Sequence, residues 1–142
     1  METLVEDDLR YLENIEDRLA KLEAAVLSDK LEGFMYSIVD IRKEILARSH
    51  YYSQLSDVAL ELLENENEIF DDHSLRLLKH FSDRAHRLRQ ETQMLREYSL
   101  QISEAYQTQI DIRPKCRNES ADSSYRDIPS TDAHCRLVWH EF

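Results

Sequence analysis

Through residue 113 the chain has no proline and one glycine, Gly33, and its apolar residues recur at intervals of three and four. That pattern constrains the fold more than any other feature. Spacing of this kind places apolar side chains on one stripe of an α-helix, while a strand would need alternation. Val5, Leu12, Leu19 and Val26 repeat every seven residues, with Ile15 and Leu22 interleaved, as in a coiled-coil seam. The stripe predicts a first helix over about 2–28, with Ser28 and Asp29 placed to cap the next one. Leu31, Phe34, Ile38, Ile41, Ile45, Tyr52, Leu55, Ala59 and Leu62 continue the spacing, and only Arg48 interrupts it. This predicts a second helix over 34–65, beginning just after Gly33, because glycine inside a helix costs about 1 kcal/mol against alanine.

The acidic stretch ENENEIFDDHS suits a turn, and Asp71 or Asp72 can cap a third helix. Leu78, Phe81, Ala85, Leu88, Leu95, Ile102 and Tyr106 hold one side of that helix over 72–112. At 1.5 Å per residue it would be roughly 60 Å long. The expected fold is therefore all-α: three long antiparallel helices, the last a stalk, over residues 1–113, followed by an irregular tail over 114–142. The second half of so long a third helix would keep apolar surface uncovered at Leu95, Ile102, Tyr106 and Ile110. Such surface predicts self-association.

The net charge is -11, and residues 1–113 carry nearly all of it. An acidic body disfavours nucleic acid and favours cations or basic partners. No run of apolar residues is long enough for a membrane helix, and the acidic start METLVEDDLR has no apolar leader. There is no glycine-rich phosphate loop, no Cys-x-x-Cys and no His-Glu-x-x-His, so nothing points to an enzyme. The acids Glu2, Glu6, Asp7 and Asp8 open the first helix, while Arg76, Lys79, Arg84, Arg87 and Arg89 gather early in the third. Each side is read as a solvated face with a few weak ion pairs. Tyr52, on the stripe beside Tyr51 and His50, is read as a core residue.

The segments IEDRLAKLEAAVL and LRQETQMLREYSLQISEAYQTQIDIR resemble the cytoplasmic helical part of the CorA family of magnesium and cobalt transporters. Tyr106 and the IDIR after it match the approach to that family's first membrane helix. Arg96 and Glu97 stand where members often carry an Arg-Asp pair. The resemblance covers residues 1–113. It implies a stalk that gates divalent metal flow, and Mg2+ or Co2+ as the transported or regulatory ion, with no resident cofactor. It also implies a homo-oligomer, a pentamer in the parent family. The intact family protein would sit in the plasma membrane with these helices on its cytoplasmic face, whereas this chain as written would be cytoplasmic.

The tail adds a second line of resemblance. Both prolines and both cysteines fall after Arg113. Reading the last two bases of each tail codon with the first base of the next, Leu137 to Phe142 permit Trp-Tyr-Gly-Met-Asn. Asp127 to Leu137 permit an apolar run ending in Ile-Ala-Gly, and Asn118 to Ser124 permit Met-Lys-Val-Leu-Thr-Val. Gly-Met-Asn is the CorA signature at the outer end of its first membrane helix. Residues 114–142 thus look like an out-of-frame translation of that helix, with the shift at Arg113/Pro114, and the chain looks like the middle of a transporter. Cys116 and Cys135 then carry no designed chemistry.

His80 and Asp83 lie three residues apart, so they share a helix face and are the candidate metal ligands, given acids from a neighbour. In the family an Asp-x-x-Asp-His pattern senses divalent cations on this part of the stalk. Here the first Asp is His80, the second is Asp83, and the His is Arg84, so two of three positions depart. Mg2+ prefers hard oxygen ligands, which makes His80 a poorer one. The alternative reading of the chain is a freestanding coiled-coil scaffold that binds other helices through an exposed stripe.

Overall fold

The computed structural model describes the backbone of residues 2–122 and the side chains of residues 7–113, except residues 65 and 67. It contains three α-helices: α1 (Glu2–Leu27), α2 (Phe34–Glu64) and α3 (Asp72–Asp122). Among the described residues there is no strand. The chain divides into two compact units, residues 1–102 and residues 103–142.

The first unit holds α1, α2 and the larger part of α3. Its core is the predicted stripe: Leu12, Ile15, Leu19 and Val26 from α1, and Phe34, Ile38, Ile41, Ile45, Tyr52 and Ala59 from α2. From α3 come Ala85, Leu88, Leu95 and Ile102. Full burial of each large aliphatic side chain contributes about 1.5–3 kcal/mol. Leu22, Leu55, Leu78 and Phe81 are half-buried, and Leu62 is exposed. Val5 lies outside the described side chains.

The termini explain where each helix stops. Asp29 has φ 60°, the left-handed conformation, and its N–H donates to the carbonyl of Val26 at 3.2 Å. The Lys30 N–H reaches back to the Ala25 carbonyl at 2.8 Å. This pair of bonds is a Schellman motif, with aspartate where glycine is usual. Asp29 therefore ends α1 instead of capping α2. The start of α2 is set by Gly33, at φ 71°, whose carbonyl accepts from the Ser37 N–H at 3.1 Å. At α3 the Asp71 carboxylate accepts the Ser74 N–H at 3.0 Å, so Asp71 is the N-cap. Hydrogen bonding from Ser74 is the first cause holding its carboxyl below the usual aspartate range.

Two expectations change. Leu95 and Ile102 are buried, in a stretch of α3 that meets α2 through Arg42 and Ser99 and α1 through Glu23 and Tyr98. They belong to the core of the first unit and leave no exposed patch. The second difference is the end of α3, which does not stop near 112 but continues as helix through Pro114 to Asp122. Pro114 has no N–H to donate, so α3 runs past it without one of its i→i−4 hydrogen bonds. Residues 123–142, the remainder of the expected irregular tail, lie outside the described residues.

The second unit begins with the α3 residues from Ser103 onward. Within it Gln109 is buried, while Tyr106 and Ile110 are half-buried.

Candidate functional site

The helix pair α1/α2 is joined by a ladder of polar side chains laid over the apolar seam. Arg48 donates to Asp8 at 3.3 Å. One turn along, the Tyr11 hydroxyl donates to Glu44 Oε2 at 2.8 Å. Arg18 Nη1 donates to both oxygens of the same carboxylate, each at 2.8 Å, and its other terminal nitrogen stands 3.6 Å from Asp40. Residue numbers rise along α1 as they fall along α2, so the ladder also proves the two helices antiparallel. Arg48 further covers the face of Tyr11, with its guanidinium carbon 4.1 Å from the ring centre. That contact adds a cation–π attraction.

The electrostatics follow from these contacts. Partial burial works to raise the Glu44 pKa. The hydrogen bonds from Arg18 and Tyr11, together with the charges of Arg18 and Arg48, outweigh it and hold Glu44 below the usual carboxylate range. Tyr52 is fully buried in the seam, and its hydroxyl has no hydrogen-bond partner among the described residues. Burial, then the field of the Asp8 carboxylate, pushes its phenol well above the ordinary tyrosine value. On the opposite side of the hairpin, the Tyr98 hydroxyl of α3 donates to Glu23 of α1 at 2.6 Å. That bond, followed by desolvation, pushes the Tyr98 phenol up to about 12.

Where α2 meets α3, Arg42 donates from Nε to Ser99 Oγ at 3.3 Å and from Nη2 to the Ser99 carbonyl at 3.2 Å. The α3 side of the seam also contains fully buried hydroxyls. Thr92 and Ser99 bond the carbonyls of Arg89 and Arg96 in their own helix, each at 2.7 Å. A reading that counts only apolar residues passes over both. The interval of three and four from Leu88 through Thr92, Leu95, Ser99 and Ile102 was the available signal. Arg48 carried a signal too, as the one polar interruption of the α2 stripe, and it marks the ladder.

His80 and Asp83 sit on α3 with exposed side chains. Among the described residues no third histidine, cysteine or carboxylate gathers with them, and no group of three or more occurs elsewhere. Arg76, Lys79, Arg84, Arg87 and Arg89 form no ion pair among the described residues; the interhelical ion pairs run from α1 to α2. No helix among the described residues is long and apolar enough to cross a membrane.

The family model for the CorA-like Mg2+ transporter protein matches residues 1–116, which takes in α1, α2 and α3 as far as the Pro114 region. Searches of the curated proteins and of the solved structures found no match. Three helices of this length, joined as they are and matched over most of the sequence, place the chain in the CorA-like Mg2+ transporter family.

Proposed function

We propose that this chain supplies the stalk and gating helices of a CorA-type divalent metal ion transport protein, with α3 as the stalk and without the pore. The single observation that carries the reading is where the family match stops. It ends at residue 116, three residues past the Arg113/Pro114 boundary at which the alternative frame takes up a CorA-like membrane sequence. On this reading residues 114–142 stand in place of the first membrane helix, and the pore-lining residues belong to the displaced frame. The intact protein sits in the plasma membrane with these helices on its cytoplasmic face, works as a homo-oligomer and carries Mg2+ or Co2+ as its substrate. Asp83 and His80 are half of a regulatory site, which needs acids from a neighbouring copy to hold a divalent ion.

The test begins with the nucleotide sequence around codons 112–116. A one-base correction there should open a frame through Gly-Met-Asn into a second apolar helix. Expressed in cells deficient in magnesium uptake, the corrected gene should restore growth at low Mg2+, and the chain as written should not. Rescue by the chain as written, or a corrected frame that closes before Gly-Met-Asn, would overturn the proposal. A corrected frame that closes would instead favour a freestanding helical scaffold.

A further inference from the structure

Several of the apolar residues that the first unit leaves exposed share a face. On α2, Met35, Val39 and Leu46 stand at i, i+4 and i+11, so they share one lateral face of the helix, and Leu46 is 66% exposed. Leu100 of α3, 47% exposed, faces Leu46 across an open groove whose floor is Ile45. Arg42 and Arg96 line the same groove, and no carboxylate does among the described residues. Arg42 is held in place by its two bonds to Ser99. Arg96 is exposed and has no side-chain partner among the described residues. In a chain of net charge -11, this strip combines local positive charge with uncovered apolar surface.

The complementary surface lies on α1 of the same unit. Leu9, Glu13, Glu16, Ala20 and Leu27 fall at i, i+4, i+7, i+11 and i+18, one face of the helix, and all five are exposed. The face has leucines at its two ends and glutamates between them, while the groove has Leu46 and Leu100 flanked by two arginines. Neither surface matches itself in charge, so neither suits a two-fold contact with its own copy. They match each other.

We propose that the α1 face of one copy docks in the α2/α3 groove of the next, the glutamates meeting Arg96 and Arg42 and Leu9 covering Leu46 and Leu100. The contact is heterologous, so every copy offers one donor face and one acceptor groove, and repetition gives a closed ring or an open chain. The inference rests on the homo-oligomer reading above and adds which surfaces form the contact.

The experiment uses the full chain, in sedimentation velocity over a range of concentrations, with far-ultraviolet circular dichroism to verify that each variant keeps its helices. Arg96→Glu alone, or Glu13→Lys with Glu16→Lys, places like charges in contact and should weaken association by roughly tenfold or more. All three substitutions in one chain should restore it. Mixing the two separate variants should also restore association, in alternation, because the native face of one meets the native groove of the other and the lysine face meets the groove altered by Arg96→Glu. Association that ignores the substitutions, or fails to return in the combined variant while the helices are intact, would overturn this assignment and leave self-association standing. A native chain that stays monomeric throughout would overturn both.

Discussion

Removal of the Glu44 carboxylate tests the α1/α2 ladder most directly. Glu44 accepts one hydrogen bond from Tyr11 and two from Arg18. A hydrogen bond to a charged group contributes about 1.5–3 kcal/mol when well buried, whereas an exposed ion pair contributes about 0–1. The side chains of Glu44 and Arg18 are 27% and 34% exposed, so water screens part of the attraction and the lower end of the first range applies. Glu44→Ala should therefore destabilise the fold by about 2 kcal/mol, a fall in Tm of roughly 10 °C for a domain of this size. The pH dependence supplies an internal control. Glu44 has a lowered folded pKa, so its contribution is fully present above the ordinary glutamate value of about 4.3 and is lost as pH falls through the folded value. Urea denaturation followed by circular dichroism at 222 nm, for the native chain and Glu44→Ala at neutral pH and in acid, reads both effects. The gap between the two proteins should close in acid. A gap under about 0.5 kcal/mol at neutral pH, or one of equal size at both, would refute the assignment of Glu44 as the charged centre of the ladder.

Two further outcomes can be measured on the same chain. Gly33 has φ 71° and open space where a Cβ would stand, so substitution there is opposed by the backbone alone. Gly33→Ala should cost about 1 kcal/mol and Gly33→Asn less, since asparagine tolerates this conformation; equal costs in urea denaturation would contradict the backbone account. Tyr98, with its phenol raised to about 12, contributes stability that is fully present below the ordinary tyrosine value and is lost as pH rises through about 12. A spectroscopic titration of the tyrosines should lose a late-ionising component in Tyr98→Phe, and an unchanged curve would place Tyr98 outside that component.

The sequence made the seam legible because spacing alone decides which side chains can face a partner helix. Leu12, Ile15 and Leu19, Ile38, Ile41 and Ile45, and Leu88 are all buried where the stripe put them. The exposure expected at Leu95 and Ile102 was not found. Helix length gives no information about how far neighbouring helices run beside it, and both α1 and α2 contact this stretch. Thr92 and Ser99 escape any reading that takes residue type as a proxy for burial, although a hydroxyl bonded to its own helix carries little desolvation cost. The ladder was half-visible in Arg48, but its partners Asp8 and Tyr11 become neighbours only once the hairpin closes. The exposed pair His80 and Asp83 was legible as a shared face.

The two contacts made by α2 differ mechanically. Shifting α1 along α2 by one turn would break the bonds from Arg18, Tyr11 and Arg48 together, so the hairpin resists shear and transmits a push as one body. The buried hydroxyls of Thr92 and Ser99 are satisfied within α3, and a sliding motion there would leave those two bonds intact. The fork of Arg42 on Ser99 opposes such sliding, with two long bonds acting as a catch. Between α2 and α3, that arrangement is a ratchet with one tooth.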